Sequence, residues 1–277
     1  MRELKKLKTN WTVMDMDFQK PIRFATDLKF ILQWSNEPTY RFSSFSKGQR
    51  SFTTNNCTYI NCYLTTDKRL LLDLRHYDAI LFDIENDWDQ YPLLRAEYQN
   101  YIFSTSESAV TFPLCSEKYD NYYNLTWTYR LDSDIIRSRF RITDLRGNLI
   151  GPKLNMHWIS QMLPTSNEVK SKLKGKKIAA AWFIKNCNTV DNLHTLVSNI
   201  NSSLSKANLT LDTYGWCGKF TCHRNRIEEC LLVLRKYYYF YFLFEDSLGE
   251  DYVSEHLLYP LLNYAVPVVF GGANYSR

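Results

Sequence analysis

The spacing of apolar residues is most regular from residue 177 onward. There, short unbroken apolar runs alternate with longer stretches whose apolar residues recur every three or four positions, which is typical of strands alternating with helices. The predicted strands cover 177–184, 209–214, 238–244 and 266–270. The predicted helices lie between them and cover 190–204, 224–236 and 252–264. Strands that alternate with helices of this length form βαβ units, so we expect a parallel sheet and an α/β fold.

The N-terminal part of the chain has a weaker pattern. Residues 24–34 are predicted to form a helix or a strand, and 57–72 a cysteine-bearing turn with a helix. Two further strands are predicted over 77–84 and 101–105. A loop-like segment with several glycines and prolines follows over 147–175, and we place the domain boundary there. The sequence therefore predicts two α/β domains, residues 1–165 and 166–277.

The segment 236–272 carries the densest set of polar residues next to a predicted strand. The aromatic run 238–244 predicts a strand buried on both faces, and Glu245 and Asp246 follow at its carboxyl end. Ligands of open α/β sheets bind at that edge. We therefore expect a binding site there.

The predicted helix over 252–264 begins close to the same edge. Asp251 is placed to cap this helix, and Glu255 and His256 lie in its first turn or shortly after. The free backbone N–H groups at such a helix start would favour an anionic ligand. The apolar run 266–270 then returns as a second buried strand.

Composition narrows the class of protein. Hydrophobic residues make up 45% of the 277 residues, enough for two modest domains. The formal net charge is +5 with acids and bases interspersed, which gives no indication of nucleic-acid binding. The chain contains no apolar run of about 18 residues and its start does not match a signal peptide, so we expect no membrane span within it.

The cysteines and glycosylation sequons favour an oxidising lumen over the cytosol. The seven cysteines contain no CxxC pairs of the kind that bind zinc, and their disulfide pairing stays open. Six Asn-x-Ser/Thr sequons occur, at Asn10, Asn56, Asn124, Asn201, Asn208 and Asn274. Both features suit a lumenal protein.

The C-terminal segment resembles the α1,3/1,4-fucosyltransferases, glycosyltransferase family 10. That family's pattern is, approximately, Tyr-Lys-Phe-x-x-x-Phe-Glu-Asn-Ser, four residues, Tyr-x-Thr-Glu-Lys, and then Val-Pro-Val-Val. The chain matches it in order and spacing at Phe240, Phe244, Glu245, Ser247, Tyr252, Glu255 and Val266–Val269. It departs from the pattern at Tyr239, Asp246, Ser254 and His256.

Three further segments fit the resemblance. An aromatic strand that leads to Ser106-Glu107-Ser108 resembles the family's Glu-Ser-Pro, whose glutamate is taken as the general base, although Ala109 replaces the proline. The segments 123–135 and 211–218 are similar to the family's Asn-Trp-Thr-x-x-Tyr-Arg-x-Asp-Ser-Asp and Val-Asp-x-Tyr-Gly-x-Cys-Gly. The Pro-Tyr-Gly that commonly follows Asp-Ser-Asp is absent, and 190–193 lack the arginine expected to contact the donor diphosphate.

The resemblance implies an α/β fold of GT-B type, with two facing Rossmann-like domains of which the C-terminal one is incomplete. It implies inverting transfer of fucose from GDP-fucose to a GlcNAc hydroxyl of glycoprotein glycans, in α1,3 linkage. The alternative is an inactive relative that binds nucleotide or glycan without turnover. The implied location is the Golgi lumen, as a type II membrane protein whose anchor lies outside this chain, which we expect to be shortened at both ends.

The resemblance also assigns roles to particular residues. Glu107 is the implied catalytic base, and the donor would contact Glu245, Asp246, Tyr252, Glu255 and His256. No cofactor is implied beyond GDP-fucose as donor substrate, and a divalent metal would act only as a stimulant. The Asp132-Ser133-Asp134 triplet could instead hold a metal, as Asp-x-Asp does in another transferase fold, but the family context favours a structural role.

His256 lies where the family places a lysine. A free imidazole has a pKa near 6.5, so it would be largely protonated beside a diphosphate in a mildly acidic lumen. We therefore expect His256 to replace the lysine conditionally. The alternative interpretation is a surface histidine paired with Asp246 or Glu250.

Overall fold

The computed structural model describes residues 24–34, 47–85, 91–158, 163–184 and 193–276. The sequon at Asn10 and the first residues of the predicted helix over 190–204, where the family's arginine is missing, lie outside these ranges. The described chain forms two compact units that interleave in sequence. The first contains 1–105, 114–128 and 133–135; the second contains 106–113, 129–132 and 136–277. The boundary at residue 165 stays a prediction.

The first unit contains a largely parallel sheet. Its six strands, in chain order, are β1 Lys29–Trp34, β2 Cys62–Thr65, β3 Ala79–Asp83, β4 Asn100–Thr105, β5 Leu125–Thr128 and β6 Ile135–Ile136. They lie in the order β2-β1-β3-β4-β5-β6, and the pairs from β2 to β5 are parallel. Helix α1, Arg50–Thr54, and 3₁₀ turns at Leu74–His76 and Glu117–Tyr119 connect the strands. The core of this unit is rich in aromatic residues, with Leu32, Trp34, Tyr77, Ile80, Phe82 and Tyr101 buried.

The second unit contains a four-stranded parallel sheet and a small antiparallel pair. The pair is β7 Ile142–Thr143 with β8 Leu149–Gly151, and the sheet strands are β9 Ile178–Phe183, β10 Leu211–Tyr214, β11 Tyr238–Phe244 and β12 Val266–Phe270. The sheet order is β10-β9-β11-β12. The helices of this unit are α2 Asn167–Lys174, α3 Leu193–Lys206, α4 Ile227–Tyr237 and α5 Leu258–Leu262, with 3₁₀ turns at Arg224–Arg226 and Glu255–Leu257. The predicted α/β fold with parallel sheets is confirmed.

Lys176 is a buried cation in the second unit. Its side chain is 3% exposed, and its ammonium group donates hydrogen bonds to the backbone carbonyls of Leu234, Tyr238 and Asn263, at 3.4, 2.6 and 3.3 Å. Burial lowers the pKa of Lys176 to about 8. The ammonium group therefore joins the start of β9 to the ends of α4 and α5.

One predicted helix is wrong and another is shorter than predicted. The segment 57–72 contains strand β2 and turns, because Cys62–Thr65 pairs in parallel with β1. The predicted helix over 252–264 is a 3₁₀ turn followed by the five-residue α5, and Pro260 lies within α5. A proline ring removes one backbone donor, which does not favour a longer continuous helix.

Asp251 does not cap a helix. It adopts a positive φ of 61°, and its carboxylate accepts a hydrogen bond from the backbone N–H of Leu131 at 3.1 Å. The N–H of Tyr252 donates to the carbonyl of Gly249 at 3.1 Å, which closes a turn. The helix start expected to offer free N–H groups at these residues is therefore absent.

The strand predictions also need one correction. β11 and β12 have the predicted bounds, but neither is buried on both faces. Val266, Val268 and Phe270 are 55%, 37% and 51% exposed, because β12 is the last strand of its sheet and alternate residues point away from the core. The segment 147–175, expected to be a loop, contains β8 and α2, and the side chain of Ser166 caps α2.

Candidate functional site

A large cavity lies at the carboxyl ends of β9, β10 and β11. Its volume is about 1040 Å³, and its lining includes Glu245, Asp246 and His256. Other lining residues are mostly aromatic or apolar, including Trp182, Tyr214, Trp216, Phe244 and Tyr259. This cavity lies at the edge where the sequence predicted a binding site, and three of the five predicted donor residues contribute to it.

Glu245 is a partly buried carboxyl group at this cavity. One of its oxygens accepts a hydrogen bond from the backbone N–H of Ser254 at 3.1 Å, while Oε2 is buried without a partner in the described structure. Burial raises the pKa of Glu245 above its usual range. A buried carboxyl group with one oxygen still available can form a hydrogen bond with a hydroxyl or amide of a bound ligand.

His256 lies beside Tyr259 on the short helical segment that follows β11. The two rings have centroids 5.0 Å apart and both line the cavity. Tyr239, the other position at which the family pattern has a lysine, is not among the described lining residues. Of the two departures from lysine, only His256 is thus placed to meet a ligand in this cavity.

A disulfide supports one wall of the cavity. Cys222 is bonded to Cys230, which ties the segment after β10 to helix α4. Cys222 and its neighbour His223 both line the cavity. The disulfide therefore stabilises the position of lining residues that lie outside regular secondary structure.

The remaining predicted site residues form a second group in the same unit, around Arg139. Its Nη2 donates to Glu107 Oε1 at 2.7 Å and to the carbonyl of Ser106 at 3.1 Å. Its Nη1 lies 3.3 Å from an oxygen of Glu255. The hydroxyl of Tyr252 donates to Glu107 Oε2 at 3.5 Å. The structure thus brings Glu107, Tyr252 and Glu255 together.

Tyr252 is fixed by packing. It is 4% exposed, and its ring makes an edge-to-face contact with Tyr129 at a centroid distance of 5.3 Å. Burial, and secondarily the charge of Glu107, raise the pKa of Tyr252 above its usual range. The hydroxyl consequently remains a hydrogen-bond donor at physiological pH.

The Tyr-Arg-x-Asp part of the sequence motif holds the loop before Tyr252. Arg130 pairs with Asp132 at 2.6 Å and with Glu250 at 3.2 Å, and the N–H of Leu131 donates to Asp251. These contacts place residues 129–132 against 249–252 within one unit. The motif therefore has a structural role at this loop.

The Asp-Ser-Asp triplet does not gather its carboxylates around one point. Asp132 pairs with Arg130, whereas Asp134 accepts hydrogen bonds from the N–H and hydroxyl of Thr126, both at 2.8 Å. Within the described ranges, no group of three or more His, Cys, Asp or Glu residues could hold a metal ion. These contacts favour the structural interpretation of the triplet, and the expectation that no metal is required stays a prediction.

Sequence reasoning missed Arg139. It lies in the segment after Asp-Ser-Asp where the family's Pro-Tyr-Gly is absent, so no matched motif included it. The one available signal was a cation in a segment that departs from the family pattern close to a matched motif. That signal does not identify Glu107 or Glu255 as its partners.

Comparisons with known proteins point to one family. The family description "Fucosyltransferase, N-terminal" matches residues 26–139, and "Glycosyltransferase family 10 (fucosyltransferase) C-term" matches 173–277. The chain is 29% identical to Alpha-(1,3)-fucosyltransferase C of Drosophila melanogaster, over 92% of this chain and 61% of that protein. It is 27% identical to Alpha-(1,3)-fucosyltransferase fut-1 of Caenorhabditis elegans, over 77% and 43%.

Among solved structures, the chain is similar to an alpha1,3-fucosyltransferase crystallised with GDP-fucose. The TM-score is 0.45 at 12% identity, over 92% of this chain and 72% of that one. The chain spans about three fifths of the length of the fruit-fly relative and less than half of the nematode one. Of the helices that the structure describes, none is long and apolar enough to cross a bilayer.

Proposed function

We propose, from the premise that this chain belongs to the fucosyltransferases of glycosyltransferase family 10, that it transfers fucose from GDP-fucose to a GlcNAc hydroxyl of a glycoprotein glycan, in α1,3 linkage and with inversion. The observation that carries the proposal is the grouping of Glu107 with Tyr252 and Glu255 in the unit that contains the large cavity. A candidate base and candidate donor residues thus belong to one compact body.

In this proposal, Glu107 accepts the proton of the acceptor hydroxyl as that oxygen attacks the anomeric carbon of fucose. The bond between that carbon and the diphosphate oxygen breaks, and GDP leaves with the bonding electron pair. Glu255 accepts a hydrogen bond from a ribose or sugar hydroxyl. The Tyr252 hydroxyl, which donates its one proton to Glu107, can accept a hydrogen bond from the donor. Glu245, Asp246 and His256 contact the nucleotide in the cavity, which requires no metal.

The charge of the side chains that line the cavity is the feature that fits a nucleoside diphosphate least well. Among the described lining residues, none is lysine or arginine. His256 and His223 are therefore the side chains there that can carry positive charge toward the phosphates. This observation favours, as the second candidate, a relative that binds nucleotide or glycan without turnover.

The proposed setting is the Golgi lumen, with an N-glycan or glycoprotein as acceptor and attachment to the membrane through a segment outside this chain. The Cys222–Cys230 disulfide supports an oxidising compartment.

The test is Glu107→Gln in the full-length protein. The amide keeps the shape of the side chain but cannot take a proton, so turnover of GDP-fucose with an acceptor panel should fall by about 10² or more. GDP affinity, measured by isothermal titration, should stay within about threefold, since Glu107 does not line the cavity.

Glu168→Gln is the matched control, because Glu168 is an exposed glutamate of the same unit whose side chain pairs with Lys172 in α2. Unchanged turnover in Glu107→Gln would place the base elsewhere. GDP binding by a wild-type protein that turns over none of the acceptors would instead favour the second candidate.

A further inference from the structure

We infer that Arg139 is a positioning residue that holds the carboxylate of Glu107 in place and links it to Glu255. The inference rests on the proposed function, because it assumes that Glu107 is the base. Arg139 lies outside every matched motif, in the segment where the Pro-Tyr-Gly of the family is absent. No matched sequence motif therefore assigns a role to it.

The first support is the way in which one nitrogen of Arg139 binds both the side chain and the backbone of the Ser106-Glu107 segment. Nη2 donates to Glu107 Oε1 at 2.7 Å and to the carbonyl of Ser106 at 3.1 Å. The two acceptors belong to adjacent residues, so the contact fixes the carboxylate relative to its own backbone. A charge-assisted hydrogen bond of this length is among the stronger polar contacts in proteins.

The second support is burial. The side chains of Arg139 and Glu107 are 22% and 18% exposed, so water competes for this pair much less than for a surface ion pair. Nε of Arg139 is buried and has no hydrogen-bond partner in the described structure. Placing an arginine here leaves one donor unsatisfied, which is unfavourable unless the other contacts of the guanidinium compensate for it.

The third support is the shared guanidinium. Nη1 lies 3.3 Å from Glu255, whose side chain is 53% exposed, while Nη2 holds the more buried Glu107. One positive charge therefore faces two carboxylates from different parts of the chain. A ligand hydroxyl that donates to Glu255 would compete with Arg139 for that carboxylate, and the guanidinium would then be left to Glu107. Arg139 thus provides a physical link between a donor residue and the base.

Lysine would not reproduce this arrangement. The planar guanidinium presents donors at fixed angles, so it can contact Glu107 and Glu255 through different nitrogens at the same time. An ammonium group is a single point charge and would favour one carboxylate over the other. The inference therefore predicts only partial function for Arg139→Lys and a larger loss for Arg139→Met.

The experiment measures turnover and GDP affinity of Arg139→Met and Arg139→Lys in the full-length protein. Misplacing a base by about 1 Å can cost about 10²-fold, so we expect kcat of Arg139→Met to fall by that order. GDP affinity should not fall, because Arg139 does not line the donor cavity and its removal frees Glu255 for a ligand hydroxyl. Millimolar guanidinium should raise the kcat of Arg139→Met about tenfold, because the free cation can occupy the site that the arginine side chain has left.

Arg130→Met is the matched control. Arg130 lies in the same unit and also pairs with two carboxylates, which are Asp132 and Glu250. Added guanidinium should change the kcat of Arg130→Met little. Equal loss and equal rescue in both variants would indicate a general effect of charge removal and would overturn the inference.

A second readout does not depend on turnover. Carbodiimide labelling of carboxyl groups, quantified by mass spectrometry, should modify Glu107 several-fold faster in Arg139→Met than in the wild type, with the exposed Glu117 as internal reference. Unchanged labelling of Glu107, unchanged kcat, or a parallel loss of GDP binding would each overturn the positioning role. A wild type that binds GDP without turnover would contradict the proposed function instead, and labelling would still decide whether Arg139 holds Glu107.

Discussion

His256 is, with His223, one of the described side chains that can bring positive charge to the donor cavity. It lines a cavity whose described lining contains no lysine or arginine, and it lies beside Tyr259. Histidine changes its charge within the physiological pH range, and a nearby diphosphate favours the protonated form. The affinity for a diphosphate should therefore rise as the pH falls across that range.

Replacing His256 by lysine should make this charge permanent. A charge-assisted contact to phosphate contributes about 1–3 kcal/mol, so GDP should bind His256→Lys roughly tenfold more tightly at pH 7.5. The difference from the wild type should shrink toward pH 6, as followed by isothermal titration. His157→Lys, which adds the same charge at an exposed position outside the cavity, should leave the affinity unchanged. Equal affinity of His256→Lys and wild type at both pH values would show that His256 does not face the diphosphate.

At the scale of secondary-structure elements, the chain at the end of β12 packs closely against the backbone of a neighbouring loop. A Cβ atom added at Gly272 would overlap the carbonyl oxygens of Leu248 and Gly249, which belong to the loop after β11. Backbone atoms cannot move aside as a flexible side chain can. The loop that follows Glu245 and the end of β12 therefore pack closely only because residue 272 has no side chain.

We predict that Gly272→Ala destabilises the protein by about 1–3 kcal/mol, which is the usual cost of overpacking. Urea denaturation followed by circular dichroism would measure it. Gly175→Ala is the control, because Gly175 has a helical φ of −78° and the nearest atom to an added Cβ is 3.9 Å away. Gly175→Ala should be neutral or slightly stabilising. A Gly272→Ala variant as stable as Gly175→Ala would mean that the loop can shift without cost.

The same elements show what the sequence could predict. The ends of β11 and β12 were predictable because each apolar run stops at a polar residue or a glycine, Glu245 and Gly271. The short helical segment after Ser254 was not, because its start depends on Asp251 at positive φ, held by a hydrogen bond from Leu131. That partner is distant in sequence, and no local pattern encodes it.

The candidate site divides in the same way. Glu107 and Glu255 were identified through matched motifs, and the structure brings both to Arg139. Their shared contact with Arg139 was not predictable, because it depends on how the segment after Asp134 folds in three dimensions. Residues outside a matched motif become candidates only once their distances are known.

At the scale of the whole molecule, the oxidation state of the cysteines connects the fold to its compartment. Cys217, Cys222 and Cys230 are disulfide-bonded, whereas Cys57, Cys62 and Cys115 are free thiols. The disulfide-bonded cysteines lie in the second unit, which contains the donor cavity, and Cys57, Cys62 and Cys115 lie in the first. Reduction of the disulfides should therefore affect the second unit most.

We predict that alkylation of the denatured protein without reductant labels Cys57, Cys62 and Cys115 but not Cys222 or Cys230. Peptide mass spectrometry of protein from secretory expression would show this pattern. Alkylation after reduction is the control and should label Cys222 and Cys230 as well. Full labelling of those two cysteines without reductant would remove the support that the disulfide gives to an oxidising compartment.

The buried ammonium group of Lys176 affects how sequence variants of this protein should be interpreted. It holds carbonyl groups at the ends of two helices, far along the chain from Glu107, and it takes no part in the proposed chemistry. A missense change at this position would remove three buried hydrogen bonds and lower the amount of folded protein. A cell-based assay would score such a variant as inactive. Measured per folded molecule, its kcat would be that of the wild type, and the defect would be one of abundance.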